Sequence, residues 1–290
     1  MRERHATYYL LGPAIVALTL TTLYPFVYAF LLSFRDWRLS KSPTPGAFVG
    51  LENYVRAFDD PNFINSVVVT INYTIISVAL SMIIGLVIAL VLQKPSRLNT
   101  FLKAFLIFPF AMAPALKGFT WRFMLNPHFG ILDELIDFVF PPLQDVVWLG
   151  EPGWALFWLA ITEVWGWAPY IALVFIGALD SMPGDIFDAA KVDGASTVKT
   201  FYYITLPMLM PIIVMVTLLK TIFSVKQFDA VVTLTGGGPG RATETMNYYV
   251  YQTGFKFFDM GYASALAYLL VTAMFIFAFL YVRTIIREGQ

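Results

Sequence analysis

Six runs of this chain are apolar on every side and long enough, or nearly so, to cross a bilayer: 8–32, 64–92, 105–124, 154–179, 207–228 and 262–282. A helix needs about 20 such residues to cross about 30 Å of hydrocarbon. The runs therefore predict an all-α membrane protein with six transmembrane helices. Composition agrees, with only 13% charged residues where soluble domains carry about 25%. A formal net charge of zero removes the basic surface that a nucleic-acid partner requires. Cysteine is absent, which excludes disulfides, thiolate metal sites and cysteine nucleophiles. The first run is too long for a cleavable signal core of about 7–15 residues and is read as a span.

Prolines sit inside these runs at Pro13, Pro25, Pro109, Pro114, Pro169 and Pro211; neighbouring helices make that tolerable in a membrane. The third run is the most interrupted, by Pro109, Pro114, Lys117 and Gly118. Orientation follows from loop Lys and Arg. One side collects nine: Arg2, Arg4, Lys94, Arg97, Lys103, Lys191, Lys199, Arg283 and Arg287. The other has six, Arg35, Arg38, Lys41, Arg56, Arg241 and Lys256. Both termini and the 180–206 segment are thereby expected in the cytoplasm. The outer loops are then 33–63, 125–153 and 229–261, with Trp and Tyr gathered at their borders as an interfacial belt.

The 181–206 segment is polar between two apolar runs. Ser181 is suited to an N-cap and Pro183 to a first turn, while Asp185 and Asp188 favour the positive end of a helix. A short helix is expected from about Pro183 to Val192. Asp193-Gly194 should break it, with Gly194 left-handed. A second helix should start near Ala195 or Ser196 and merge with the fifth span at Pro207.

Within that elbow Asp188-Ala189-Ala190, Gly194, Ile204, Leu206 and Pro207 follow the pattern Glu-Ala-Ala, three residues, Gly, nine residues, Ile-x-Leu-Pro. That pattern marks permease subunits of ABC importers. The chain resembles the carbohydrate-importer permeases of the maltose and glycerol-3-phosphate type. Further matches are Phe48-Val49-Gly50-Leu51-Glu52-Asn53-Tyr54, Asn126-Pro127-His128-Phe129-Gly130 and Leu234-Thr235-Gly236-Gly237-Gly238-Pro239. One departure is Asp188, a methylene shorter than the family's usual Glu. The resemblance implies a type I importer fold in the inner membrane, with residues 64–290 as a five-helix core and 1–63 as the N-terminal helix and first outer segment. It implies that Asp188, Ala189, Ala190, Asp193, Gly194, Leu206 and Pro207 couple the chain to an ATPase. Expected partners are two ATPase subunits, a second permease (a heterodimer), a periplasmic substrate-binding protein and membrane lipid. No G-x-x-x-x-G-K-[ST] phosphate loop occurs, so this chain is expected to bind no cofactor itself and to leave ATP and Mg to those subunits.

Four ionisable residues stand out inside the spans, Lys117, Glu163, Lys220 and Lys226. Such groups are costly there and face a cavity or a partner; Lys226 is near enough the outer end to snorkel. Glu163, Trp167 and Tyr170 share one helix face, as do Lys220, Ser224 and Gln227, while Lys117 pairs with Trp121. Aromatic faces take the C–H side of a sugar ring and carboxylates and amides take its hydroxyls. These eight residues, Lys226 apart, are the candidate substrate pocket. The alternative is that Glu163 and Lys220 pair as interhelical glue with Trp167 as packing. Lys117, Glu163 and Lys220 sum to one positive charge, which suits a sugar or polyol bearing an anionic substituent. Two rival functions stand beside the permease: a stand-alone ion-coupled secondary transporter, and a membrane enzyme using His5 or His128. Neither histidine has a carboxylate or serine constellation beside it, so no catalytic or metal site is assigned.

Overall fold

A computed structural model of the chain describes residues 11–288, with side chains through Arg283. The start of the first run, Arg2, Arg4, His5 and the Arg287 side chain lie outside the described residues. In chain order the helices are α1 (Leu11–Ser33), α2 (Glu52–Asp59), α3 (Pro61–Leu92), α4 (Arg97–Ala111), α5 (Pro114–Met124), α6 (Ile131–Val139), α7 (Pro152–Asp180), α8 (Gly184–Val192), α9 (Thr197–Val225), α10 (Met246–Tyr251) and α11 (Met260–Glu288). Beyond helices and turns, the described residues hold two isolated bridges, Arg35 with Phe48 and Arg38 with Asp259.

Five helices, α1, α3, α7, α9 and α11, are long and apolar enough to cross a membrane singly. The sixth span is the pair α4 and α5, bent by 98°. The cause is local. Proline disfavours the helical region for the residue before it, and Met112 and Ala113 are extended, at ψ 135° and 133°. Pro114 then restarts the helix in its first turn, where a missing N–H costs nothing.

The chain divides into two compact units. The first holds Met1–Ile64 and Tyr249–Leu280. Here α1 lays Phe26 and Phe30 against the Tyr268 ring of α11, each at 5.1 Å between centroids. The rest of α1 is almost bare apolar surface, which suits lipid or a partner helix. A polar clasp ties the segment after α1 to the start of α11. Asn53 donates to the carbonyls of Ser33 and Arg35, and Tyr54 meets the Ser33 hydroxyl. Asp259 pairs with Arg56 at 2.9 Å and Arg38 at 3.5 Å, and Arg56 lies 3.9 Å over the Tyr262 ring. Asp60 accepts from the hydroxyls of Tyr249 and Tyr262. Burial pushes its carboxyl up, but those hydroxyls and the backbone N–H of Asn62 and Phe63 outweigh it and hold the group below the usual carboxylate range. The Phe48–Tyr54 motif is thus structural: its polar residues fasten a loop.

The second unit holds Asn65–Tyr248 and Tyr281–Gln290. Its core joins Ala89 and Leu92 of α3, Ile171, Phe175 and Leu179 of α7, and Leu209 and Val216 of α9. Small residues let the backbones close: a Cβ at Gly85 would come 2.7 Å from Ile171 Cγ2 and 3.1 Å from the Ala168 carbonyl oxygen. Gly85→Val should therefore cost about 1–3 kcal/mol by overpacking, read as a lower thermal midpoint of the purified protein. An unchanged midpoint would contradict the close approach. The Gly236–Pro239 stretch is architectural too. Gly237, at φ +86°, packs so close to the Tyr248 ring that a Cβ would sit 2.6 Å from it, and the Tyr248 hydroxyl donates to the Gly236 carbonyl.

Candidate functional site

Two features of the second unit carry the chemistry: the elbow between α7 and α9, and a buried polar cluster on those same helices.

The elbow begins at α8. Pro183 is its N-cap residue, not Ser181. The Ser181 hydroxyl instead donates back to the Ala178 carbonyl and closes α7. At the far end Gly194, at φ +71°, makes a Schellman turn: its N–H bonds to the Lys191 carbonyl and that of Ala195 to the Ala190 carbonyl. Only glycine takes that conformation without strain, which accounts for its fixed place after Ala189-Ala190. Ser196 then caps α9, accepting from the Lys199 N–H. A wide turn over Phe201–Thr205 follows. Pro207 comes two positions after its last residue, and a proline ring clashes with the carbonyl four residues back. Widening the preceding turn moves that carbonyl aside, so Leu206-Pro207 and the wide turn are one feature.

Ala190 is buried, while Asp188, Ala189, Asp193, Gly194 and Pro207 are exposed and Leu206 is half-buried. Asp188 pairs with Lys191 at 2.8 Å on the open surface, a contact worth little in stability. Asp185, Ile186, Ala189, Ala190, Asp193, Ala195 and Ile204 line a depression of about 500 Å³. Val192 and Tyr203 beside it are 87% and 80% exposed. Apolar side chains this bare on a polar elbow mark a surface that something covers.

The buried cluster is built around Glu163 of α7. Lys220 of α9 reaches one carboxylate oxygen at 3.2 Å, and the Gln227 amide donates to the other at 3.1 Å. The Lys220 ammonium also lies 5.0 Å from the Trp167 ring centroid, within cation–π range. Lys220 and Ser224 have no exposed surface, and Lys117 of α5 is 5% exposed. The Lys117 ammonium rests against Gly166, one turn from Glu163: a Cβ there would sit 2.6 Å from Nζ.

Of the eight candidate residues, Glu163, Trp167, Lys220 and Gln227 are linked by contacts through Glu163 and Lys220, while Ser224 is buried on α9 and Lys117 on α5. Trp121 has other company, while Tyr170 meets the edge of the Trp167 ring at 5.8 Å. Trp121 packs on Trp158 and Trp165, and Tyr170 stacks on Phe110 at 4.3 Å. Trp167 also touches Phe110 and Phe223. Sequence reasoning missed a polar face on α3. Ser66, Thr70, Tyr73, Thr74, Ser77 and Ser81 are all buried, and the Tyr73 hydroxyl lies within electrostatic range of Glu163. Thr74, Ser81 and Ser224 each carry a buried hydroxyl without a protein partner. The 3.6-residue spacing along α3 was the available signal. His128 is exposed and its backbone N–H is held by Asn126.

Comparison with known proteins agrees with this architecture. Residues 61–288 match the family described as the binding-protein-dependent transport system inner membrane component. The sulfoquinovosyl glycerol transport system permease of Agrobacterium fabrum is 32% identical, covering 95% of this chain and 89% of that protein. The trehalose/maltose transport system permease of Thermococcus litoralis is 31% identical over 97% and 94%. The sn-glycerol-3-phosphate transport system permease of Brucella suis is 32% identical over 91% and 89%. Among solved structures, a chain of a bacterial ABC transporter that imports the acidic polysaccharide alginate shares the fold, with a TM-score of 0.83 at 17% identity over 100% of this chain and 98% of that one. From the elbow motif, the broken third span and these matches, the chain belongs to the binding-protein-dependent transport system inner membrane component family, the multi-pass inner-membrane permeases of ABC importers.

Proposed function

We propose that this permease carries a carbohydrate or polyol into the cytoplasm, driven by ATP hydrolysis on partner subunits docked at the elbow. One observation carries the reading: α9 runs as a single helix of 29 residues from Thr197 in the elbow to Val225, past Lys220 and Ser224. At 1.5 Å per residue that is a rod of about 43 Å. A push on the elbow is therefore carried toward the Glu163 cluster along one continuous helical span. The cluster itself offers what a sugar needs, an aromatic face at Trp167 beside a carboxylate, an amide and buried hydroxyls. The named relatives handle sulfoquinovosyl glycerol, trehalose or maltose, and glycerol 3-phosphate, all of them carbohydrates or polyol derivatives.

In this reading Asp188, Ala189, Ala190, Asp193, Gly194, Leu206 and Pro207 form the coupling surface. Two ATPase subunits hold the ATP and Mg, a second permease completes a heterodimer, and a periplasmic protein delivers substrate to the outer loops. Both termini and the elbow are cytoplasmic, as the excess of Lys and Arg on that side argues. Closure of the ATPase pair moves the elbow and switches the pathway between its two openings. The test is uptake by the assembled importer in liposomes across a panel of labelled carbohydrates. ATP-dependent uptake that ignores an uncoupler is expected. Uptake that survives ATP depletion and collapses with the uncoupler would restore the ion-coupled transporter.

A further inference from the structure

Two of the three charges at the cluster neutralise each other. Glu163 has Lys220 on one oxygen and the Gln227 amide on the other, so its charge is already matched and each oxygen already has a donor. Lys117 is the remainder. Among the described residues no carboxylate lies within 4 Å of it, and its residue is 5% exposed. An ammonium enclosed in a span without a counter-charge is costly, and the fold retains it. It even makes room for it: Gly166 leaves the notch that a methyl group would fill to within 2.6 Å of Nζ. In the same unit, the buried hydroxyls of Thr74, Ser81 and Ser224 have no protein partner. They are donors of the kind that satisfy the further oxygens of an oxyanion.

We propose that Lys117, seated in the Gly166 notch, is the specificity-determining cation of the pathway and receives a phosphate, sulfonate or carboxylate substituent on the transported carbohydrate. The inference rests on the carbohydrate reading above and adds the charge class. Of the two lysines that the summed charge left open, it assigns the selective role to Lys117. Lys220 is occupied by Glu163, and displacing it would strand a buried carboxylate. Lys117 gains a partner and loses none. The buried hydroxyls supply donors without adding negative charge, so an anion entering here meets no repulsion from them.

The experiment uses the importer assembled with its ATPase and binding protein in liposomes. The probes are neutral hexoses and glycerol alongside hexose 6-phosphate, hexose 6-sulfonate, hexuronate and glycerol 3-phosphate. The wild-type importer should move at least one anionic probe. Charge-assisted hydrogen bonds of this kind set the expected effect: Lys117→Gln should lower the ratio of anionic to neutral uptake roughly 10- to 100-fold. Gly166→Ala keeps the charge but intrudes on its seat, and should lower the ratio in the same direction by less. It serves also if the Lys117 variant fails to fold. Should the wild type move anionic probes alone, loss of that uptake in Lys117→Gln at equal membrane abundance supports the proposal, and uptake at the wild-type rate overturns it. Import of neutral probes alone overturns it and leaves the carbohydrate reading intact. So does an equal loss of both classes in both variants, which a resident inorganic anion or a packing role would give. Import of no probe at all overturns the carbohydrate reading, and this inference with it.

Discussion

Ala189→Trp should abolish most uptake while leaving the permease folded and in the membrane. Ala189 is exposed on α8 and lines the depression of about 500 Å³, so an indole there occupies open space outside the packed core. It would fill the space that a docking partner needs. Disrupting a central interface position costs about 2 kcal/mol or more, so binding of the ATPase subunit should weaken roughly 30-fold or more. Co-purification of the ATPase at limiting concentration measures this directly, with ATP-driven uptake beside it. Asp188→Glu is the matched control. It restores the methylene by which this chain departs from its family, and the exposed Asp188–Lys191 pair it perturbs contributes little, so both readouts should move less than about threefold. Full ATPase occupancy and normal uptake in Ala189→Trp would mean that the elbow is not the docking surface.

The elbow was legible in the sequence because its geometry is made locally. Gly194 and Ser196 act on residues within five positions of themselves, and each did in the structure what its chemistry predicts. Ser181 was misread for the same reason that made the others easy. Where only three residues separate one helix from the next, a hydroxyl can close the first or open the second, and local chemistry does not choose. Pro109 and Pro114 flagged the third span as the interrupted one, and the 98° bend lies at Pro114. The cluster was harder. Glu163 and Lys220 are 57 residues apart and Glu163 and Gln227 are 64 apart. That they are the ones to meet depends on which helices adjoin, a property of packing. Trp121 shared a face with Lys117 by count, yet its ring belongs with Trp158 and Trp165. The α3 face escaped because Ser and Thr barely lower the hydropathy of a run rich in Ile and Val, and a search for charges passes over them.

Breaking the Glu163–Lys220 pair from one side should be the most damaging single change in the second unit. Lys220 has no exposed surface and Glu163 5%, so Lys220→Met leaves a carboxylate enclosed with only the Gln227 amide. Removing one partner of a buried pair costs roughly 3–5 kcal/mol, whereas replacing both with apolar groups of similar size is often neutral. Lys220→Met should therefore lower the thermal midpoint of the purified importer sharply, and adding Glu163→Met should restore most of it. The cycle separates the two meanings of the cluster. If the pair is only glue, the double variant regains both stability and uptake. If Glu163 also takes sugar hydroxyls, stability returns and uptake does not, for neutral and anionic substrates alike, because the charge-selective group is Lys117 and not this pair. A Lys220→Met importer with an unchanged midpoint would mean that Glu163 is solvated, and the closed cluster would then be wrong.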